Sequence, residues 1–174
     1  MLKAERVYLR MLEKKDLEYR VSWFNDPEIY QNLLSDYPVS YAKTDAWFQK
    51  NLFDESKMHF SICLNSTNEL VGMTGLLQID KKNSHAQMYI TIGNKKFRGL
   101  GLASEIISIL LNYAFFEQNL NKIYLWTITS NERARKVFEK NGFIQEASMQ
   151  DHLYCRGQYQ TIIQHRVLKS EFNK

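Results

Sequence analysis

The sequence predicts a mixed α/β (α+β) fold: one central sheet of about six to seven strands, antiparallel at first and then with a parallel crossover, flanked by about four helices. Three observations predict it. Apolar residues recur with a period of two in three successive segments between Met58 and Ile92, separated by short polar turns. The stretch from Leu102 to Phe116 is apolar on almost every side, leaving Ser104, Glu105, Ser108 and Asn112 for water, as in a helix packed on a sheet. A strand pattern and then a helix pattern follow it, the alternation that a crossover connection needs.

The elements follow in order. Arg6-Val7-Tyr8-Leu9-Arg10-Met11-Leu12 alternates polar and apolar residues as a half-buried strand does, and Lys14-Lys15-Asp16 opens a helix through Leu17, Val21 and Phe24. Asn25-Asp26-Pro27 ends that helix, and a loop carrying Tyr30, Tyr37 and Tyr41 leads to a second helix over Thr44 to Leu52. Strands are expected over Met58–Leu64, Leu70–Ile79 and Ala86–Ile92, with turns at Asn65–Asn68 and Asp80–Ser84. The apolar helix is followed by a strand over Lys122–Ile128. Asn131 caps a helix to Lys140, and Asn141-Gly142 supplies its left-handed stop. Phe143–Met149 and Tyr159–Leu168 close the chain as two strands joined through Tyr154–Gln158.

At 174 residues and 44% hydrophobic content, the chain can fill one core, and a single domain over 1–174 is expected. Two prolines and a charged fraction of 24% argue against extended disorder. The net charge of +4 suits an anionic partner without choosing among nucleic acid, phospholipid headgroup and phosphorylated cofactor. Cys63 and Cys155 are too few and too far apart for a disulfide framework or a metal pair, so a reducing compartment and no metal site are expected. The N-terminus lacks an apolar signal core and no stretch reaches about 18 apolar residues, so a cytoplasmic protein without a membrane segment is expected.

The informative segment runs from Ile92 through Gly93-Asn94-Lys95-Lys96-Phe97-Arg98-Gly99-Leu100-Gly101-Leu102-Ala103 to Ser104, straight into the apolar helix. Small residues at 99, 101 and 103 let main-chain amides approach an anion, and the helix start adds partial positive charge there. A diphosphate fits such a cradle, with Arg98 and Lys96 strengthening the field. An ordinary glycine turn into a helix would read the same. A P-loop would need Lys-Ser/Thr after the last glycine, where Leu102-Ala103 stands, and Ser104-Glu105 match a dinucleotide fingerprint poorly.

Arg98-x-x-Gly101-x-Ala103 resembles the acetyl-CoA signature of the GNAT acetyltransferases, and Asn131-x-x-Ala134-x-x-x-Phe138-x-Lys140-x-Gly142-Phe143 resembles their downstream motif. The opening Val7-Tyr8-Leu9-Arg10 and the closing hairpin extend the similarity over nearly the whole chain. The branch it resembles contains ribosomal-protein N-terminal acetyltransferases and bacterial spermidine acetyltransferases. The resemblance implies the GNAT fold and an N-acetyltransferase that takes acetyl-CoA as cosubstrate. It also implies cofactor contacts at Ile92, Gly93, Phe97, Arg98, Gly99, Leu100, Gly101, Leu102, Ala103, Ser104, Asn131, Arg135, Phe138 and Lys140.

The mechanism it implies is direct attack of a primary amine on the thioester carbonyl. The oxyanion donor falls at about Ile92-Gly93, where the strand splays. The usual catalytic glutamate position holds Gln87, whose amide cannot take a proton, so His85, His152, Glu69 and Glu146 stand as candidate bases. The usual tyrosine position holds Phe138, leaving Tyr154, Tyr113 or water to protonate the thiolate. Asn131 is a helix cap as readily as a cofactor contact, and Arg133, Arg135, Lys136 and Lys140 either meet the ribose phosphate or form a solvated face.

The resemblance implies an amine acceptor: a peptide or ribosomal-protein N-terminus, a polyamine or an amino sugar. The first helices offer it Trp23, Phe24, Tyr37, Tyr41, Trp47 and Phe48 beside Asp26, Glu28, Asp36 and Asp45. Acids would suit a cation and aromatics a sugar or nucleotide face. A weakly catalytic acyl-CoA-binding module and a basic ribosome- or RNA-associated protein are the competing readings. No DNA partner is expected, and a homodimer is the default oligomer.

Overall fold

The computed structural model describes residues 1–35 and 37–172. Asp36, one of the acids expected near the acceptor, lies outside the described residues. A short strand β1 (Leu2–Lys3) precedes β2 (Val7–Met11), and one 3-10 turn at Lys14–Asp16 leads into α1 (Leu17–Phe24). Next come α2 (Pro27–Tyr30) and α3 (Tyr41–Asn51), then the meander β3 (Met58–Leu64), β4 (Leu70–Asp80) and β5 (His85–Ile92). The glycine-bearing segment 93–101 enters α4 (Leu102–Asn112), which unwinds through a π turn at Tyr113–Glu117 into β6 (Lys122–Ile128). The helix α5 (Glu132–Lys140), the hairpin β7 (Ile144–Cys155) and β8 (Gln158–Leu168), and a last turn α6 (Lys169–Phe172) complete the fold.

All eight strands form one sheet in the order β1-β2-β3-β4-β5-β6-β8-β7. The count exceeds the expected six to seven because β1 is two residues long, too short for any periodicity to show. As expected, the early ladders are antiparallel, and β5 against β6 is the parallel pair. The second helix starts earlier than expected: the Ser40 side chain accepts a hydrogen bond from the Lys43 amide, 3.2 Å, and so caps a helix that takes in Tyr41. Asn131 caps α5 as read, accepting from the Ala134 amide at 3.2 Å.

Alternation along β2 sends Val7 and Leu9 to one face of the sheet and Tyr8 to the other, and a separate core forms on each. The α4 face buries Ile106, Ile107, Leu110 and Phe115 completely. The opposite face packs Leu17, Trp23 and Phe24 of α1 and Phe48 of α3 against Cys63 and Met73. Cys63 is thus a small core residue.

A buried carboxylate pins the first turn to the sheet. Asp16 accepts two hydrogen bonds from the Arg10 guanidinium at 2.7 Å, one from the Ser61 hydroxyl at 2.7 Å and one from the Glu13 amide at 3.0 Å. Burial alone would raise its pKa; the Arg10, Glu13 and Ser61 donors outweigh burial and bring it below the ordinary value. Its stabilisation is therefore complete above about pH 4 and is lost as pH falls through the lower native pKa. Asp16→Asn is expected to cost about 3 kcal/mol, because it leaves Arg10 unmatched at a largely buried site. Urea unfolding at pH 7 measures the loss, and the variant's stability should fall less steeply than the parent's below pH 4.

Candidate active site

The parallel ladder between β5 and β6 is short. It pairs His85 with Lys122, Ala86 with Ile123 and Gln87 with Tyr124, and there it stops, although both strands continue. Beyond that point β5 remains bonded to β4 and β6 to β8, so the two halves of the sheet separate as a wedge. Met88 to Ile92 form one wall and Leu125 to Thr127 the other of a cleft of about 810 Å³ that crosses the sheet. The Thr127 hydroxyl, buried in that wall, has no partner among the described residues.

The geometry of β5 decides which amides face the cleft. The Gly93 amide donates to the Val71 carbonyl at 3.0 Å across the β4 ladder, so strand alternation turns the Ile90 and Ile92 amides the other way, into the split. The Ile92 carbonyl agrees, accepting from Arg98 Nε at 3.1 Å on the loop side. Gly93 is thereby removed as an oxyanion donor and does not line the cleft. Its lack of a side chain has another cause: a Cβ there would stand 1.9 Å from the Trp23 ring.

On the α4 face, Gly99 and Gly101 have φ of 79° and 78°, the left-handed region, and Gly101 is the N-cap of α4. Of the residues named as cofactor contacts, Arg98, Gly99, Gly101, Leu102, Ala103 and Ser104 line the cleft. Phe97 packs into the core beneath the loop and Leu100 points to solvent, so neither reaches it. From α5 come Asn131, Arg133, Phe138 and Lys140, while Arg135 does not line the cleft. A Cβ on Gly99 would lie 3.2 Å from Arg133 Nη2, which places that guanidinium over the loop. Arg6 was missed by sequence reasoning. Its guanidinium donates to the Leu100 carbonyl at 2.9 Å and bonds Glu105, whose carboxylate also accepts from the Arg6 amide, so a residue far back in the chain fixes the loop.

The structure separates the expected acid–base candidates. His152 lines the cleft, delivered by an irregularity of β7 between Met149 and Leu153, and lies edge-on to Trp126 at 5.9 Å. His85 does not: it sits on the still-paired part of β5, 3.7 Å from Asp80, in a separate hollow with Lys122 and Tyr124. Glu69 accepts from Asn94 at 2.9 Å on the surface. Glu146 is bound by Lys122 at 2.7 Å, which lowers its pKa. Tyr154 packs on Tyr159 at the exposed hairpin end, and the Tyr113 hydroxyl accepts from Gln118 at 2.8 Å away from the cleft.

The opposite opening is lined by Arg20, Phe24 and Trp47 of α1 and α3, with Lys57, His59 and Tyr89. His59 Nδ1 lies 2.9 Å from the Tyr89 hydroxyl, and burial, then the charges of Arg20 and Lys57, push its pKa down to about 4. The Arg156 guanidinium at the hairpin tip donates to the Tyr30 and Leu33 carbonyls at 3.1 and 3.3 Å and closes this side.

The model of the acetyltransferase (GNAT) domain family matches residues 6–144. The chain belongs to this family, whose reaction is acetyl transfer from acetyl-CoA to an amine. It is 29% identical to the uncharacterised N-acetyltransferase p20 of Bacillus licheniformis, over 98% of this chain and 97% of that protein. It is 26% identical to the spermidine N(1)-acetyltransferase of Vibrio cholerae, over 94% of each. A crystal structure of spermidine N-acetyltransferase from Vibrio cholerae in complex with CoA and spermine superposes with a TM-score of 0.90 at 26% identity, covering 97% of this chain and 98% of that one.

Because Trp23 occupies the volume a side chain at 93 would need, Gly93→Ala is expected to destabilise the fold by about 1–3 kcal/mol through overpacking. Urea unfolding should show it, and CoA affinity at saturating folded protein should not change, since the Gly93 amide is not offered to the ligand.

Proposed function

We propose that the cleft seats acetyl-CoA against α4 and α5 and takes a primary amine from the α1–α3 side, so that the two meet in the wedge between β5 and β6. The observation that carries this is the early end of the β5–β6 ladder, which leaves outward amides at Ile90 and Ile92 beside a left-handed glycine loop at a helix start. The loop amides at 99–103, the α4 dipole and Arg133 and Lys140 offer the charge complement of a diphosphate and a ribose phosphate. Phe138, buried at the wall, lies along the pantetheine path.

Main-chain amides at Ile90 and Ile92 receive the negative charge that develops on the thioester oxygen as the amine nitrogen bonds the carbonyl carbon. The carbon–sulfur bond then breaks. His152, the candidate base that lines the cleft, takes the proton the amine must lose. Water protonates the departing thiolate: Phe138 carries no hydroxyl, Tyr154 and Tyr113 lie elsewhere, and a thiol pKa of about 8.5 makes the thiolate a fair leaving group unaided.

Calorimetry with CoA and a thiol-release assay with an amine panel test the reading. Binding and steady CoA release are expected; no heat with CoA at millimolar concentration would refute it, and binding without release by any amine would make the chain a binding module. Gly101→Ala should weaken CoA about tenfold by forcing a side chain into a left-handed position at the loop. Gly157→Ala meets the same strain at φ 77° in the β7–β8 turn and should leave affinity unchanged. His152→Gln should lower kcat by about 10²-fold for an amine of pKa near 10 and by less for an α-amine of pKa near 8. An unchanged pH–rate profile would remove His152 from the reaction.

A further inference from the structure

The acceptor half of the cleft holds a cation without a counter-ion among the described residues. Arg20, on α1, lies with its guanidinium 3.9 Å from the centre of the Phe24 ring and 4.1 Å from that of Trp47. Phe24 is four residues on along α1, one turn away, and Trp47 comes from α3, so two helices converge to hold one planar group. Stacking occupies the faces of a guanidinium and leaves its five in-plane N–H donors free. Arg20 makes no hydrogen bond or ion pair with any described residue, and it lines the cleft.

The described residues around it do not supply a hidden anion. Tyr89, the ionisable neighbour whose charge would help Arg20, has its pKa pushed up to about 12 by burial and remains a neutral phenol. His59 is neutral as well. Lys57 adds a second cation to this half and is already matched by Asp54 at 2.8 Å. Glu28 is the one carboxylate among the described lining residues, and it is bound to Lys95 at 3.1 Å and lies 3.8 Å from Arg98. Of the other acids named for the acceptor, the two described ones are taken too: Asp26 by Lys95 at 2.9 Å and Asp45 by Lys14 at 3.3 Å. Desolvation without a partner lowers the Arg20 pKa, the signature of a charge awaiting compensation.

Resting on the acetyltransferase reading above, we infer that Arg20 is a specificity residue which binds an anionic oxygen group carried by the acceptor, a carboxylate or a phosphate, on the same molecule as the amine to be acetylated. A planar fork held against two aromatic rings matches two oxygens of such a group, and those contacts restrict its orientation before the ligand arrives. A polyamine entering the same half would bring a second ammonium against Arg20 and Lys57 with no unengaged described carboxylate to receive it. The relatives named for spermidine and this chain thus share a fold and a reaction class while their acceptors differ in charge.

Matched acceptors test this with the full-length protein and acetyl-CoA. Leucine and 3-methylbutylamine differ by one carboxylate; 5-aminopentanoate, pentylamine and 1,5-diaminopentane differ only at the far end; phosphoethanolamine and ethanolamine add the phosphate arm. The expected result is a kcat/KM at least about tenfold higher for the anionic member of at least one pair, with spermidine among the poorest acceptors. The pair that shows the preference tells carboxylate from phosphate. Arg20→Met should bring that ratio close to one, mainly through KM, and Arg20→Lys should keep part of it; thermal melts of both variants check that they fold. A wild-type preference for diamines, spermidine or the neutral amines overturns the inference, as does an Arg20→Met variant that folds and retains the preference. Absence of CoA release with every amine would instead overturn the acetyltransferase reading beneath it.

Discussion

A parallel ladder that ends after three residue pairs is the constraint on which the site depends. Main-chain amides and carbonyls in a sheet interior need partners, and a strand that loses its neighbour on one side normally bends away or is covered. Here β5 cannot follow β6, because β4 bonds it along its other edge, and β6 cannot follow β5, because β8 bonds it from Lys122 to Ile128. The resulting wedge faces unpaired main-chain groups toward an opening that a ligand can fill. The remaining features answer to it: the start of α4 borders it on one face, and α1 and α3 border it on the other.

Much of this was legible in the sequence, and the reasons divide by range. Helix caps, left-handed glycines and strand periods are local chemistry, so β6, α5, the Asn131 cap and the positive φ at Gly142 followed directly. The glycine-bearing loop and the helix that follows it were legible for the same reason. Gly93 was half legible: a residue without a side chain is required there, but the requirement comes from Trp23, seventy positions away, and not from strand distortion. His85 and Gln87 share a face of one strand, yet the ladder opens just beyond Gln87, so that Gln87 borders the cleft and His85 does not, and where a ladder opens depends on strands still to come in the chain. Glu69, Glu146 and Tyr154 failed as candidates because their ion-pair, amide or ring partners are set by tertiary packing.

Charge was the least readable property. The first helices hold acids that would suit a cation and aromatics that would suit a sugar or nucleotide face, but folding pairs Asp26 and Asp45 with lysines and gives Arg20 no ion pair among the described residues. Nothing in its neighbours along the chain announces this, apart from Phe24 one helical turn on. The aromatic residues expected to form a generic acceptor wall include two that instead fix a guanidinium in place.

The roof over this half is assembled from distant parts of the chain. Arg156, in a turn where it and Gly157 both take positive φ, reaches across to one carbonyl at the end of α2 and one in the segment after it. The hairpin and that segment therefore act as a clasp rather than as independent flaps. Lengthening the turn by a single residue would lift the guanidinium off both carbonyls at once, so the reach of the hairpin and the width of the doorway beneath it can change only together.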